Sequence, residues 1–466
     1  MSFLRRSTAN TPPPPAPSHP VGRMEELVIR ARLVTPMFGG GAVSANQQVR
    51  AAPGRRGPTP GVADDDTPIR GASIRGHLRF WWRIARAGDL SPVGMRQRES
   101  EIWGDPDNPS PVCVRIEIDR NTLRFIPRKR QPSDKDEYGF HGFGPEAYAL
   151  FSAKQNEVTR LVASGLSFTL RLTWPSAVEL QRLRNHANQS RPADKQLSPT
   201  VTDIGTDVQT AVAAWLKFGG LGGRTRRGVG AVHPEQPQGF TVPTNLGLML
   251  GGEGSDDPHD AWGQALDIYQ WFRQRAYRDD GRRGERRGRS WWPEPDSIRW
   301  MTGCWTEEHS DPIDPRVTLP AYPKAVLGLP IVFKFADGPP DESSVPGCDP
   351  GRVTLNAHIE TTDGVPSGSR MASPVIIRPI WRVDLNKWVP GFIFLPRPEA
   401  LHVRAYFAAS PANPEGGPVL VPNDQIVGPR VRQAEPLAGS ENAIAALKAY
   451  IRGAIGQHPR FLERHT

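Results

Sequence analysis

The sequence lacks the features of secreted, membrane-spanning and disulfide-rich proteins. Its longest uninterrupted apolar run, 325–333, has nine residues including a glycine and a proline, too few to cross a bilayer. A Pro-rich stretch follows Arg5 and Arg6 where a signal peptide would have an apolar segment, so we expect no signal peptide. The three cysteines lack CxxC spacing, which argues against a disulfide scaffold or a zinc site. We expect a cytoplasmic protein without membrane contact, metal or cofactor.

Lysine is also scarce, whereas arginine is abundant. The 58 basic residues comprise 9 Lys and 49 Arg, and with 49 acidic residues the formal charge is 58 − 49 = +9. Guanidinium groups bind phosphates in a bidentate manner and stack on bases, so this excess favours an anionic partner. A GC-rich genome would enrich arginine as well. Only arginines at particular spacings therefore indicate a site.

The chain of 466 residues is long enough for two or three domains, and its 46 glycines and 49 prolines predict many loops. Residues 1–24 are Pro-rich and predicted to be disordered. We assign an N-terminal domain to 25–240 and a C-terminal domain to 291–466. Residues 241–290 are interpreted as a linker that carries a helix and an Arg-rich segment.

Hydrophobic periodicity predicts an α+β fold. Up to about residue 240 the predicted order is β, α, β, excursion, β, α, turn, β, which suits a ferredoxin-like, RRM-type βαββαβ unit. Helices are predicted in this part at 73–87 and 207–218. Two further helices are predicted at 261–277 and 441–455. Downstream strands are predicted at 298–305, 329–335, 352–360, 374–380, 389–395 and 402–408. A second α+β domain follows from this pattern.

The segment 67–87, TPIRGASIRGHLRFWWRIARA, is the most informative. On a helical wheel Ile74, Leu78, Trp81 and Ala85 form an apolar stripe. A neighbouring stripe carries Arg75, Arg79, Trp82, Arg83 and Arg86. Such closely spaced guanidinium groups repel one another unless an anion neutralises them, and Trp82 among them is placed to stack on a base. The alternative is a solvated basic face with Trp82 buried in the domain.

The second informative segment is 217–232, KFGGLGGRTRRGVGAV, in which six glycines surround three arginines. Glycines allow close backbone approach to a ligand, and successive N–H groups in such a turn can form an anion-binding concavity. No Gly-Lys-Ser/Thr follows, so the loop is not a Walker A motif. The alternative is a flexible loop between a helix and a strand. We favour an anion site at Arg224, Arg226 and Arg227.

These segments resemble the RAMP superfamily of CRISPR effector proteins. The resemblance lies in TPMFGGG at 35–41, SIRGHLRFWWR at 73–83 and GGLGGRTRRGVG at 219–230. Downstream, the sequence resembles the first-numbered subunits of type III-B (Cmr) RNA-targeting complexes at 291–300, 322–335 and 370–380. The resemblance covers most of residues 25–410 in matching order.

The resemblance implies two tandem ferredoxin-like domains. It also implies an RNA-binding architectural subunit that caps the complex near the crRNA 3′ end and helps to capture target RNA, without cleaving it. The implied partners are crRNA, target RNA and other Cmr/RAMP subunits. This sequence departs from the pattern in its N-terminal tail, in the insertion at 45–66 and in the Arg-rich segment at 278–290.

Two alternatives to this interpretation stay open. One is a metal-independent RAMP endoribonuclease, with His77 as the candidate general base and Asp64, Asp65 and Asp66 in the loop before the basic helix. We expect these aspartates to form a solvated acidic turn and His77 to be structural. The other alternative is an assembly protein whose basic faces contact acidic subunits.

Further candidate RNA contacts lie downstream. Arg289, Trp292 and Arg299 combine stacking and charge, although a tryptophan-anchored domain junction would show the same pattern. Arg370 and Arg378 flank an apolar strand and are expected to face RNA or a neighbouring subunit. The complete predicted RNA-binding set is Arg70, Arg75, His77, Arg79, Trp82, Arg83, Arg86, Lys217, Gly219, Gly220, Gly222, Gly223, Arg224, Arg226, Arg227, Arg289, Trp292, Arg299, Arg370 and Arg378.

Overall fold

The computed structural model describes most of the chain. The described residues are 23–37, 39, 67–86, 89–127, 148–150, 160–192, 196, 203–236, 246–274, 289–335, 338, 346–357, 370–396, 403–407, 410, 415–458 and 461–464. Residues 1–22 of the predicted N-terminal tail, the 45–66 insertion and all but two residues of the Arg-rich segment 278–290 lie outside them, whereas Met24 of the predicted tail belongs to the first strand. In the described part, no helix is both long and apolar enough to span a bilayer.

The first half of the chain builds a four-stranded antiparallel sheet. Its strands are β1 (Met24–Leu33), β2 (Cys113–Ile118), β5 (Ser167–Pro175) and β6 (Val232–Pro234), in the order β2-β5-β1-β6. A separate two-stranded sheet pairs β3 (Phe125–Pro127) with β4 (Arg160–Val162). Ile29 lies opposite Leu170 in the β1–β5 register, and both are fully buried. The alternation of apolar and polar residues that predicted β1 and β5 therefore sets the face that packs on helices.

Four helices accompany this sheet: α1 (Gly71–Arg86), α2 (Pro92–Trp103), α3 (Ala177–Asn188) and α4 (Gly205–Phe218). The Ser91 side chain accepts a hydrogen bond from the Gly94 N–H at 3.1 Å and caps α2, with proline at its first position. α1 begins at Gly71, two residues before the start predicted at residue 73. The succession of β1, α1, β2, β5, α4 and β6 matches the order predicted from the sequence.

A second antiparallel sheet has the same internal order. Its strands are β7 (Gly247–Leu250), β10 (Val375–Arg382), β11 (Lys387–Phe394) and β14 (Leu462–Arg464), arranged β10-β11-β7-β14. The helices that lie between these strands along the chain include α5 (Pro258–Gln274) and α8 (Ala443–Ile455). The segment 241–290, interpreted from sequence as a linker, thus supplies the central strand β7 and helix α5. Its Gly- and Asp-rich composition hid a four-residue strand whose residues are all buried.

The strands of a third sheet lie along the chain between the first and second strands of this unit and between its third and fourth strands. It contains β8 (Ile331–Phe333), β9 (Val353–Ala357), β12 (Val403–Phe407) and β13 (Gly417–Val421), in the order β13-β12-β9-β8. Helices α6 (Glu294–Thr302) and α7 (Asp424–Val427) complete the described elements. The strand predicted at 298–305 is wrong, because this stretch belongs mostly to α6. Pro293 precedes this helix, and Gly303 ends it in a left-handed conformation with φ of 67°.

The two halves share a core, because the second sheet is buried on both faces. Ile377 and Phe392 belong to a cluster with residues of α5 and α8. Ile376, Ile380 and Ile393 point into the other cluster, which contains the buried residues of α1 and α4. Helix α4 therefore packs between the two sheets. The loop that follows α4, and with it the predicted anion site, is held at the junction of the halves.

Candidate nucleic-acid interface

The two predicted basic segments meet across a cleft. Helix α1 and the loop 219–230 enclose a cavity of about 200 Å³. The residues that line it are His77, Phe80, Trp81, Phe218, Gly219, Gly220, Thr225, Arg226 and Ile376. Four of these were predicted as RNA-binding residues from sequence. The fold therefore brings part of each motif to one place.

The glycines of this loop serve packing more than ligand approach. A Cβ on Gly219 would lie 2.7 Å from the Trp81 indole nitrogen, and a Cβ on Gly220 would lie 2.8 Å from the Gly230 carbonyl oxygen. Gly228 has a φ of +78° and packs against Trp262. Gly222, with a φ of +75°, and Gly223 are partly exposed. The expected close approach of backbone to ligand is thus confined to the loop tip.

The three loop arginines contact backbone oxygens. Arg224 has a left-handed φ of 62° and donates to the Ala149 carbonyl at 3.1 Å. Arg226 donates to the Ser373 carbonyl and lies over the Phe80 ring, 5.4 Å from its centroid. These contacts orient the guanidinium groups without neutralising them.

Arg227 lies deeper than its neighbours. It is buried and donates to the Val375 carbonyl at 3.2 Å and to the Tyr269 hydroxyl at 3.0 Å. Its guanidinium also lies over the Tyr269 ring. Arg227 therefore anchors the loop to β10 and α5. This structural role accounts for its position without the predicted phosphate contact.

The loop arginines have no acidic partner in the part of the chain that the structure describes: no carboxylate lies within ion-pair distance of Arg224, Arg226 or Arg227. Burial and the neighbouring charge of Arg227 lower the pKa of Arg226. Partly desolvated cations without a counter-ion are destabilising. An anion bound in the cleft would relieve this cost.

The arginines of α1, in contrast, are largely neutralised within the protein. The Glu99 carboxylate, on α2, accepts hydrogen bonds from Arg79 Nε at 2.7 Å and from Arg83 Nε at 2.7 Å. Burial raises the pKa of Glu99, but the hydrogen bonds and charges of Arg83 and Arg79 outweigh burial and hold it below its ordinary 4.5. The expected repulsion between these guanidinium groups is thus resolved by a carboxylate instead of a phosphate.

Trp82 is not a stacking platform, which corrects the sequence-based expectation. Its side chain is fully buried, and its indole N–H donates to Asp207 of α4 at 2.8 Å. Asp207 also accepts from Arg98 at 2.7 Å, and Arg86 lies 3.5 Å from it. The structure therefore supports the alternative in which Trp82 is a core residue. Its polar atom ties α1 to α4.

The remaining predicted residues of α1 have varied environments. Arg70 is exposed at the start of the helix, and Arg75 lies 3.5 Å from the Val112 carbonyl. Burial lowers the pKa of His77, so its imidazole is neutral at pH 7. His77 is the only titratable side chain of α1 that lines the cleft.

The downstream aromatic and basic residues are structural. Trp292 is 1% exposed and donates to the Phe272 carbonyl at 3.0 Å. Arg299 binds Asp349 at 2.8 Å, and Arg289 binds Asp296 at 2.7 Å. The prediction that Trp292 and Arg299 contact RNA is wrong, because both are buried among intramolecular partners. The tryptophan-anchored junction is the alternative that fits.

Of the three remaining predicted residues, two are exposed and one is buried. Arg370 is exposed just before β10. Arg378 is 2% exposed and donates to the carbonyls of Gly219 and Val232, so it is not a surface RNA contact. Burial lowers the pKa of Arg378 to about 9. Lys217 is exposed at the end of α4.

Sequence reasoning missed a larger cavity at the junction of the halves. It has a volume of about 680 Å³ and is lined by Trp381, Trp388 and His233 together with the predicted residues Lys217 and Arg378. The paired tryptophans lie opposite each other in the β10–β11 register. The spacing WRVDLNKW at 381–388, two tryptophans flanking a polar turn, was the available signal.

No group of three or more His, Cys, Asp or Glu side chains in the described ranges is arranged to hold a metal ion. The candidate catalytic aspartates Asp64, Asp65 and Asp66 lie outside the described residues. The cleft between α1 and the loop 219–230 is therefore lined by a cation, aromatic rings and one neutral histidine.

Residues 30–233 match the family model of the RAMP superfamily. The match covers less than half of the chain. The matched segment runs from within β1 into β6 and includes α1 and the loop 219–230. The resemblance inferred from the sequence motifs is thus confirmed. No curated protein matches the chain.

Several solved structures are similar to the chain at low identity. Cmr1 from Pyrococcus furiosus, in its apo form, is 12% identical, with 95% of this chain and 98% of that chain covered and a TM-score of 0.41. A chain of the type III-B Cmr-beta complex bound to cognate target RNA and AMPPnP is 10% identical, with coverage of 81% and 95% and a TM-score of 0.35. Cmr6 from Pyrococcus furiosus is 11% identical, with coverage of 46% and 98% and a TM-score of 0.21.

Proposed function

We propose that the chain is an RNA-binding, architectural subunit of a type III-B CRISPR effector complex. The observation that carries the proposal is the cleft between α1 and the loop 219–230. Arg226 lines it, and Arg224 lies two residues away on the same loop; both are partly desolvated and have no carboxylate within ion-pair distance among the described residues. Arginine binds phosphate in a bidentate way. The RAMP superfamily match and the downstream resemblance to first-numbered Cmr subunits favour RNA as the source of that phosphate.

Within this proposal, Arg224 and Arg226 neutralise RNA phosphates, and the backbone at Gly222 and Gly223 allows the strand to come close. His77 and Phe80 form the opposite wall of the cleft. The partners are crRNA, target RNA and other Cmr subunits. The position in the complex is the end near the crRNA 3′ end, where the subunit helps to capture target RNA. Sequence is read by guide–target pairing and not by this chain.

The proposal extends to the fold. Both four-stranded sheets place their second, third, first and fourth strands side by side, and in the described part each has two α-helices between its first and second strands. We interpret them as two tandem ferredoxin-like units, with the second beginning at β7. A segment expressed from β7 to the C-terminus would contain all four strands of the second sheet.

The test measures binding of a fluorescein-labelled single-stranded oligoribonucleotide by anisotropy over a range of salt concentrations. The variant carries Arg224→Gln and Arg226→Gln, because glutamine keeps one donor for the Ala149 and Ser373 carbonyls. Removing the charge that neutralises one phosphate lowers the log–log salt slope by about 0.7 for single strands. We expect the slope to fall by about 1.4 for the double variant, with weaker binding to every sequence.

The control removes the same charge elsewhere. Arg182 and Arg316 are exposed and paired with Glu179 and Asp314. Replacing both by glutamine should leave the slope nearly unchanged. Equal losses in the two double variants would show that net charge, and not the cleft, determines affinity. Absence of RNA binding by the unaltered protein would refute the function itself.

We further propose that the subunit does not cleave RNA. The observation that favours the alternative, an endoribonuclease, is the neutral His77 in the cleft, because an unprotonated imidazole can act as a general base. Labelled RNA incubated with the unaltered protein should stay intact. Cleavage that is lost in a His77→Ala variant, or in an Asp64→Ala, Asp65→Ala and Asp66→Ala variant, would establish the enzymatic alternative. RNA crosslinks from a photoreactive phenylalanine analogue at Phe80 would exclude a purely protein-binding role for the cleft.

A further inference from the structure

A second cavity lies where the two halves of the chain meet, apart from the cleft proposed above. It has a volume of about 680 Å³, within the usual range of small-ligand sites. One side is formed by the edge strand β6 and the end of α4, and the other by the hairpin of β10 and β11. Its lining includes Arg32, Lys217, His233, Glu235, Arg378, Trp381 and Trp388.

Three aromatic rings form one wall of this cavity. His233 contacts Trp388 edge to face, with ring centroids 4.8 Å apart, and Trp381 contacts Trp388 at 5.2 Å. His233 and Trp381 are 6.2 Å apart. Trp388 is buried, whereas His233 and Trp381 are partly exposed. Trp388 therefore supports His233 and Trp381, which keep accessible surface. Aromatic surface of this kind stacks on nucleobases.

The rest of the lining is mainly cationic. Arg32, Lys217 and Arg378 contribute three positive charges, against the single carboxylate of Glu235. Arg378 is 2% exposed, yet no carboxylate lies within ion-pair distance of it among the described residues. Its three hydrogen bonds go to carbonyls and leave two of its five N–H groups without an acceptor among the residues that the structure describes.

Burial and the charges of Arg378 and Arg32 lower the pKa of His233 to about 4, so its ring is neutral at pH 7. A neutral imidazole presents a flat, weakly polar face instead of a fourth positive charge. The lining thus combines uncharged aromatic rings with cations. A nucleotide has the matching combination of a flat base and an anionic phosphate.

We propose that this cavity binds one unpaired nucleotide of single-stranded RNA, with the base against Trp381 and His233 and the phosphate at Lys217 and Arg32. The proposal rests on the RNA-binding function proposed above for the source of the nucleotide. It adds a second contact point, formed by both halves of the chain. The cleft at the glycine loop holds backbone phosphates, whereas this cavity takes a base out of the strand.

The test compares Trp381→Ala with Trp381→Phe and with Trp300→Ala in the full chain. Trp300 is 57% exposed on α6 and serves as the matched control. Stacking of one base is lost with Trp381→Ala, so the anisotropy assay should show about 5- to 150-fold weaker binding of the oligoribonucleotide. Trp381→Phe should lose less, and Trp300→Ala should change affinity less than twofold, in keeping with its place outside the cavity.

A second measurement does not depend on the whole strand. Saturation-transfer NMR with uridine 5′-monophosphate should show magnetisation transfer from the protein to the base protons, and this transfer should disappear in Trp381→Ala. Inorganic phosphate should compete only weakly. Competition by phosphate as strong as by the nucleotide would show an anion site without base stacking and would overturn the proposal. Lys217→Gln should reduce the salt slope of strand binding by about 0.7, and it tests the site without altering the aromatic wall.

The outcomes separate this site from the proposed function. If the Arg224→Gln, Arg226→Gln variant weakens RNA binding while Trp381→Ala and Lys217→Gln match Trp300→Ala, the nucleotide site is refuted and RNA binding stands. If the unaltered chain binds the mononucleotide through Trp381 but binds no RNA strand, the site stands and the proposed function fails. Circular dichroism of each variant identifies any loss of affinity that follows from unfolding, in which case Trp381→Phe and Lys217→Gln decide.

Discussion

Replacement of Asp207 by alanine should destabilise the first half of the chain, because this one carboxylate joins three elements. It accepts from Trp82 of α1 at 2.8 Å and from Arg98 of α2 at 2.7 and 3.1 Å, while belonging itself to α4. The side chains of Asp207 and Arg98 are only 10% and 13% exposed. Water therefore replaces the lost carboxylate poorly.

The expected cost follows from what the alanine leaves behind. Removing one partner of a buried ion pair costs about 3–5 kcal/mol. Arg98 keeps a hydrogen bond to Glu101 at 3.0 Å and one to the Asp203 carbonyl at 2.7 Å, which places the cost near the lower limit. The buried Trp82 N–H then lacks an acceptor and adds about 1 kcal/mol or more. We expect a loss of about 3–4 kcal/mol in the free energy of unfolding of the first half.

The assay is urea unfolding followed by near-ultraviolet circular dichroism, with Asp207→Asn as the matched variant. Asparagine keeps the shape and one oxygen acceptor, so it should lose roughly half as much. In a double-mutant cycle of Asp207→Ala with Trp82→Phe, we expect a coupling of about 1 kcal/mol. A loss below about 1 kcal/mol for Asp207→Ala would refute the argument that this carboxylate holds α1, α2 and α4 together.

Three further predictions concern the packing around the site. Glu99→Gln should lower the free energy of unfolding by about 1 kcal/mol at pH 7, because Arg79 and Arg83 are partly exposed. The pKa of Glu99 in the folded state lies below 4.5, so the stabilisation by its carboxylate is complete above that value and is lost as pH falls through the folded-state pKa. Urea titrations should therefore show the stabilities of the variant and the unaltered protein converging in acid. Gly228→Ala should lower the free energy of unfolding by about 1–3 kcal/mol, since φ is +78° and the added Cβ would lie 2.6 Å from Trp262 Cδ1 and closer still to the indole nitrogen. An unchanged melting temperature in thermal unfolding would contradict this. Trp292→Ala should cost about 3–5 kcal/mol by creating a cavity, while the RNA affinity of the folded fraction stays unchanged; a specific loss of affinity would restore Trp292 to the RNA site.

The elements of the first half were predictable from local pattern. Alternation along β1 and the spacing of Ile74, Leu78 and Trp81 by four and then three residues both indicate which face is buried, and that face is fixed by neighbours a few residues away. Trp82 was misassigned because α4 packs beside the sheet-facing side of α1 and widens its buried sector. The width of a buried sector depends on the partner helix, which lies more than a hundred residues away in sequence.

The partner that each guanidinium group binds could not be predicted from the sequence for the same reason. Arg83 meets Glu99 across 16 positions, and Arg98 meets Asp207 across 109. A basic stripe on a helix looks the same whether a phosphate or a distant carboxylate neutralises it. The strand predicted at 298–305 failed at another level, because the alternation there is short and the helix signals, Pro293 and Gly303, stand at its ends.

The positive charge of this chain therefore divides by counter-ion, and the division assigns roles that composition cannot. Arginines with carboxylates, such as Arg79 and Arg299, stabilise the fold. Arg224 and Arg226 of the glycine loop and Arg378 beside the second cavity donate to carbonyl oxygens instead, with no carboxylate in ion-pair distance among the described residues. Arg378 joins the two regions: its guanidinium donates to the Gly219 carbonyl at the loop and to Val232 of β6 beside the second cavity. Because one buried side chain holds the cleft wall and the cavity wall together, an RNA strand that occupies both surfaces would bind a preset geometry of the two halves. Its affinity for the whole strand would then exceed that of either contact alone, as expected for linked sites.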